Sequence, residues 1–226
     1  MQKINLNKIL INLKKDYYSN GYVHLKKIFS KERINCLKND ILEFKKKEKI
    51  QSTKLLHINK HLKEVKEFIS QDHLLMLLKY ILNYKEILGL QTEVFFNPPG
   101  TPGYGFHQDD FFLGSGKNNT ANLWIPLVKT NKKNGTLKFL SYSHNSGVLK
   151  KINEKNLISK KNEKKIGEKH ICCEIGDAIL ISNHVFHGSG VNKSNYNRYV
   201  LAVGYINKGA KYRKGFTAKR KSFILN

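Results

Sequence analysis

The stretch EILGLQTEVFFNPPG, Glu86 to Gly100, decides the fold, because the texture of the chain changes there. Ile87 to Phe96 reads as a β-strand, and Asn97-Pro98-Pro99-Gly100 is a hard stop: two prolines cannot donate to a ladder and the glycine permits a turn. Before this stretch the apolar residues recur at helical spacing. After it they fall in short runs separated by turn signals.

On the N-terminal side, Ile4, Leu6, Ile9, Leu10, Leu13 and Tyr17 describe a helix over 1–20 that Asn20-Gly21 stops, and Tyr22 to Leu25 reads as a short strand. Ser30, followed by Glu32 and Arg33, opens a second helix with the face Ile34, Leu37, Ile41, Leu42 and Phe44, ended by the lysine-rich 45–49. Residues 72–83 form a third helix, apolar on most faces and therefore buried. On the C-terminal side, strand-like runs occur at Asn122–Val128, Thr136–Leu140, His170–Ile175, Ala178–Ser182 and Tyr199–Ile206, with Asn134-Gly135 and Gly176-Asp177 as turns. Helices followed by six or more short strands predict an α+β protein built on an antiparallel barrel or jelly roll. Residues 146–169, with eight lysines against three glutamates, read as a long exposed loop. The tail 208–226 carries seven basic residues and no acids. It reads as a surface extension that docks through Phe223-Ile224-Leu225. No internal repeat or long linker divides the chain, so the expectation is one domain over 1–226: a helical part (1–85), a strand core (86–207) and the basic tail.

With 226 residues, 40% hydrophobic and 11% aromatic, the chain is globular and large enough for a real core. No apolar run approaches 18 residues, which excludes a membrane helix, and the lysine- and asparagine-broken N-terminus does not read as a signal peptide. Three cysteines, Cys36, Cys172 and Cys173, are odd in number, so reduced thiols and a cytoplasmic location are expected. The net charge of +24 suits an anionic partner, but lysine greatly outnumbers arginine and is spread throughout. A solvated lysine-rich surface is the preferred reading. No nucleic-acid-binding spacing occurs.

Chemistry is concentrated at His107-Gln108-Asp109. On a strand, residues i and i+2 share a face, so an imidazole and a carboxylate would stand side by side. A second histidine from about 80 residues on, His184 or His187, would complete two histidines and one carboxylate on one face of an octahedral ion, with three positions open. Asp110 would face away from Asp109 on a strand. His184 is assigned a structural or solvent-facing place, as are His57, His61, His73, His144 and His170. Tyr104, Phe106, Phe111 and Phe112 bracket the first pair and serve as packing or as a pocket lining.

His187-Gly188-Ser189-Gly190-Val191-Asn192-Lys193-Ser194 followed by Arg198 resembles the distal motif of the phytanoyl-CoA dioxygenase (PhyH) family. The likeness extends to Asn20-Gly21-Tyr22-Val23-His24-Leu25, to Pro99-Gly100 with His107-Gln108-Asp109, to Leu123-Trp124-Ile125-Pro126-Leu127, and to Asn134-Gly135-Thr136-Leu137-Lys138-Phe139. It departs at Ser141-Tyr142-Ser143-His144, where the family has a Pro-Gly-Ser-His turn.

The resemblance implies a double-stranded β-helix (a jelly-roll, cupin-like barrel) with the N-terminal helices packed on one sheet. In that family a basic residue eleven positions after the distal histidine pairs with the co-substrate; Arg198 stands there relative to His187, which selects His187 over His184. The implied iron ligands are His107, Asp109 and His187. Arg198 and Ser189 would hold the far carboxylate of 2-oxoglutarate, with Trp124 and Gln91 beside it. The implied reaction consumes Fe(II)-bound 2-oxoglutarate and O2, releases succinate and CO2, and hydroxylates an unactivated C–H of a small metabolite; the positive surface leans weakly toward an anionic one. Asp109 disfavours halogenation, which needs that carboxylate replaced by a small residue. Two rivals are a cupin-like metal-binding isomerase or binding protein without O2 chemistry, and a basic nucleic-acid-binding protein. Nothing in the sequence selects the substrate or the oligomeric state.

Overall fold

Helix α1 (Leu6–Asn20) anchors through Tyr17 and closes where Gly21 N donates to Tyr17 O at 2.9 Å. Gly21 itself sits at φ +80°, a conformation that favours glycine. The computed structural model describes residues 6–148, 167–215 and 219–225. Strand β1 (Tyr22–Leu25) leads to helix α2 (Lys31–Lys47). Ser30 Oγ caps this helix by accepting from Arg33 N at 3.2 Å, worth about 1 kcal/mol, and α2 buries Ile34, Leu37 and Ile41. Strand β2 (Lys54–Leu56) and helices α3 (Lys63–Ile69) and α4 (Asp72–Leu82) complete the first part. Helix α4 buries Leu74, Leu78, Ile81 and Leu82, each contributing roughly 1.5–3 kcal/mol of transfer free energy.

The remaining elements are β3 (Ile87–Asn97), a five-residue helix α5 (Asp109–Leu113), β4 (Thr120–Pro126), β5 (Leu137–Leu140), β6 (Glu168–Ile171), β7 (Ala178–Ser182), β8 (His187–Ser189) and β9 (Arg198–Asn207). They form a six-stranded sheet in the order β1-β7-β4-β9-β3-β2 and a three-stranded sheet in the order β6-β5-β8. Every pairing between these strands is antiparallel. This is the jelly-roll architecture that the run of short strands predicted.

Alternation along the large sheet separates two cores. Leu123 and Ile125 of β4 and Leu201, Val203 and Tyr205 of β9 pack with the helices on the outer face. Trp124, Ile179, Ile181 and Val200 point the other way, between the sheets, and meet Leu137 and Phe139 of β5. Tyr22 stacks on Phe139 there, ring centroids 4.0 Å apart. The helices thus pack on one sheet, and the inter-sheet space is left for the site.

Four elements escaped the sequence reading: β2, α3, α5 and β8. Each has seven residues or fewer, and none stands out as an apolar run between turn signals of the kind that exposed the equally short β1, β5 and β7. The strand expected at 170–175 lies at Glu168–Ile171, so the end of the presumed 146–169 loop is sheet; residues 149–166 lie outside the described residues. The tail does dock through its terminal apolar group: Phe223 exchanges both backbone hydrogen bonds with Gly89, at 2.8 and 3.0 Å, and Leu225 enters the outer core, while Ile224 stays 69% exposed. It is more than a surface extension, because Arg220 lines the inter-sheet cavity and Arg213 donates to the carbonyl of Phe111 in α5. The three cysteines are free, with Cys173 buried. Among the described residues no helix is long and apolar enough to cross a membrane.

Candidate metal centre

His107 and His187 are brought together by a two-residue bridge: His107 N donates to His187 O at 2.9 Å and His187 N to His107 O at 3.0 Å. Their ring centroids are 4.4 Å apart. His107 is therefore extended, as predicted, but Asp109 is not on a strand. It is the first residue of α5, and the turn into that helix swings its carboxylate back toward the imidazoles. Asp109 Oδ1 lies 3.8 Å from His107 Nε2, and Oδ2 lies 3.9 Å from His187 Nε2. Ligand atoms of all three residues fall within 4.8 Å of one another. Neighbouring ligands on an ion with bonds of about 2.1 Å lie roughly 3 Å apart, so small side-chain rotations suffice to close the set.

Supporting contacts orient each ligand. His107 Nδ1 lies 2.9 Å from Gly105 O and His187 Nδ1 lies 3.1 Å from Val185 O. A proton on each Nδ1 bonded to these carbonyls leaves both Nε2 lone pairs facing Asp109. Burial pushes the His187 imidazole down to about 4; Asp109 opposes that shift and His107 adds to it. The ring is thus neutral near pH 7, as a ligand must be. Asn122 Nδ2 donates to Asp109 Oδ2 at 2.6 Å. The sequence reading missed Asn122; its only signal is that it lies two residues before Trp124, on the same face of β4.

Asp110 and His184 are spoken for elsewhere. Asp110 accepts from Ser115 N and Oγ, both at 2.6 Å, from Gly116 N at 3.1 Å and from His184 Nε2 at 3.0 Å. Burial alone would raise the Asp110 carboxyl, but its bonds to His184 and Ser115 hold it down to about 2. His184 is buried and structural, not solvent-facing. A second cluster, His24, Cys173 and Asp177, also meets within 4.8 Å. Asp177 there accepts from Lys27 N, Glu174 N and His24 Nε2 at 2.9–3.1 Å and so locks a turn.

The three candidate ligands open onto a cavity of about 460 Å³ that Arg198, Ser189 and Trp124 also line. Arg198, at the start of β9, is 3% exposed, yet its Nε and Nη1 have no hydrogen-bond partner. Burial lowers its guanidinium to about 10, which leaves it charged at neutral pH. Ser189 Oγ accepts from Tyr104 N at 3.1 Å, so its own O–H remains to be donated. Unpaired buried donors are costly unless an anion meets them, and a carboxylate fits this fork. Gln91 stands apart from this cavity. A bulge at Leu90 shifts the β3–β9 register, and Gln91 lines an adjoining smaller cavity and donates to Glu93. Of the aromatic residues flanking the first pair, Tyr104 and Phe112 line the main cavity, whereas Phe106 is buried packing.

The jelly roll thus gathers two histidines and an aspartate in one cavity with a buried, unpaired arginine. The family model for phytanoyl-CoA dioxygenase (PhyH) matches residues 17–200, and the chain belongs to that family. No curated protein sequence matches it. Among solved structures it is similar to the epimerase SnoN, crystallised with Fe3+, alpha ketoglutarate and nogalamycin RO: 16% identity, 92% of this chain and 87% of that one, TM-score 0.79. The carbocyclase SnoK of nogalamycin biosynthesis follows at 14%, 95% and 94%, TM-score 0.78. EctD from S. alaskensis, with 2-oxoglutarate and 5-hydroxyectoine, gives 14%, 89% and 77%, TM-score 0.74. At these identities the likeness is one of fold.

Proposed function

We propose that this chain is an Fe(II)- and 2-oxoglutarate-dependent oxygenase that hydroxylates an unactivated C–H of a small metabolite, with His107, Asp109 and His187 as the iron ligands. The observation that carries the reading is the pairing of that ligand set with the unpaired guanidinium of Arg198 in one cavity. Nitrogen and carboxylate donors on one face suit Fe(II) with three positions to spare. Bound there with 2-oxoglutarate and O2, iron supplies the oxidising power, with succinate and CO2 as co-products. Arg198 and Ser189 bind and orient the far carboxylate, and Trp124 walls the cavity beside them. Asn122 fixes the carboxylate of Asp109, and the two backbone carbonyls fix the imidazoles. Because Asp109 fills the carboxylate position, hydroxylation is favoured over halogenation.

Asp109→Ala and His187→Ala are expected to abolish succinate release from 2-oxoglutarate while keeping a cooperative thermal transition. Release at the wild-type rate in either variant would remove that residue from the ligand set. Hydroxylation is separated from epimerisation or ring closure, the reactions named for the SnoN and SnoK neighbours, by following labelled oxygen from O2 into the product. A product that gains no oxygen atom rules hydroxylation out.

A further inference from the structure

The chain holds 41 basic residues but only four arginines, at 33, 198, 213 and 220. Two of the four, Arg198 and Arg220, line the candidate active-site cavity, and Arg213 donates to the carbonyl of Phe111 in α5, the helix that begins at Asp109. Arg220 comes from the C-terminal tail, beyond residue 200 where the family match ends.

Register places the two cavity arginines at opposite ends. The inward residues of β9 run Arg198, Val200, Ala202, Gly204, opposite Asn97, Phe95, Glu93 and Gln91 of β3. Arg220 lines the main cavity and also the smaller one beside Gln91, Ala202 and Gly204, which Arg198 does not reach. Four residues of strand separate Arg198 from Ala202, about 13 Å. The wall between is apolar, with Val200 and Phe95 on it.

Among the described residues no side chain pairs with the Arg220 guanidinium, and the two carboxylates that line the cavity, Glu93 and Asp109, are engaged. Glu93 is held by Lys54 at 2.8 Å and accepts from Gln91. Asp109 accepts from Asn122 and faces the two imidazoles. With Fe(II) and dianionic 2-oxoglutarate in place, Asp109 and Arg198 bring the metal end to neutrality, and Lys54 cancels Glu93. Arg220 is left as one uncompensated positive charge. Its backbone is held on both sides: Arg220 N donates to Lys214 O at 2.8 Å, Ser222 N to Tyr212 Oη at 2.9 Å, and Phe223 is bridged to Gly89.

We propose that Arg220 receives the anionic headgroup of the primary substrate, which is an amphiphile with an apolar body and a single carboxylate or phosphate. The headgroup docks on Arg220 while the body lies along the Val200–Phe95 wall toward the metal. The proposal rests on the oxygenase reading above. A guanidinium fork matches either headgroup, and its half-buried position makes the contact worth about tenfold in affinity.

The test is an anaerobic calorimetric titration of the full chain, loaded with Fe(II) and saturating 2-oxoglutarate, using octanoate, octyl phosphate and octanamide. At least one anion is expected to bind the wild type about tenfold more tightly than octanamide; which one distinguishes carboxylate from phosphate. Arg220→Gln should erase that preference, and Arg220→Lys should keep part of it. The 2-oxoglutarate affinity of Arg220→Gln should equal that of the wild type, which also shows that the variant is folded. An anion preference unchanged in Arg220→Gln, or absent from the wild type, overturns the proposal. Failure of the wild type to bind 2-oxoglutarate overturns the oxygenase reading instead, and the anion comparison between wild type and Arg220→Gln is read all the same.

Discussion

Arg198 is held in the ligand-free protein at a cost. It is a buried cation with two unpaired donor atoms, and burying a charge without partners opposes folding. Arg198→Met, of similar length and apolar, is therefore expected to raise the melting temperature of the ligand-free protein. The same change should weaken 2-oxoglutarate binding by about 2–5 kcal/mol. A variant that melts lower than the wild type and binds 2-oxoglutarate normally would remove Arg198 from this role. Asp110 carries the opposite balance. Its carboxyl is held down to about 2 by His184 and Ser115 against burial, from an ordinary value near 3.8. A depressed carboxyl stabilises the fold fully above its unfolded value and loses that contribution as pH falls from about 4 through 2, here on the order of 2 kcal/mol. Asp110→Asn should flatten the stability–pH curve in that window and lower stability at pH 7, measured by urea unfolding; an unchanged slope between pH 4 and 2 would contradict the assignment. At this scale the meeting of His107, Asp109 and His187 was legible, because His-x-Asp is a local spacing and the resemblance of 187–198 to the family's distal motif singles out His187. Asn122 was not: its part arises from the register of β4 against β7 and β9, which no local pattern encodes. Gln91 lines the adjoining smaller cavity, beside the bulge at Leu90, a placement that no local pattern encodes either.

Among the elements, those with enough residues to show a period were readable: α1, α2, α4, β3, β7 and β9 lie within a few residues of their expected positions. Helix α5 was hidden because five residues hold little more than one helical turn, and it turns the strand argument for Asp109 into a different geometry with the same outcome. The tail was half legible. Its apolar end announced docking, but the partner, Gly89, could not be named from sequence. That contact has a measurable consequence. A β-carbon on Gly89 would lie 2.3 Å from the Phe223 ring, so Gly89→Ala must displace the ring or strain β3. Overpacking of this kind costs roughly 1–3 kcal/mol. Gly89→Ala is expected to free the tail for tryptic cleavage at Lys219 and Arg220 under conditions in which the wild type is resistant, while the remainder of the chain stays folded. Equal protection in both proteins would show that Phe223 does not hold the tail in place.

At the scale of the whole molecule, the candidate centre is an assembly of distant parts. His107 precedes α5, His187 comes from the small sheet, Arg198 from the large sheet and Arg220 from the tail. None of these groups is near the others in an unfolded chain, so metal and 2-oxoglutarate bind the native state and stabilise it by mass action. At a free concentration of 100 times the dissociation constant the gain is about 2.7 kcal/mol. For a chain of 226 residues each kcal/mol raises the melting temperature by about 2–4 °C, which predicts a rise of roughly 5–10 °C. Mn(II), which accepts the same donors without the redox chemistry of iron, is the suitable probe. Mn(II) with 2-oxoglutarate should produce the full rise, 2-oxoglutarate with EDTA much less of it, and His187→Ala almost none. An equal rise with and without metal would mean that 2-oxoglutarate meets Arg198 and Ser189 alone, and the ligand set at 107, 109 and 187 would lose its thermodynamic support.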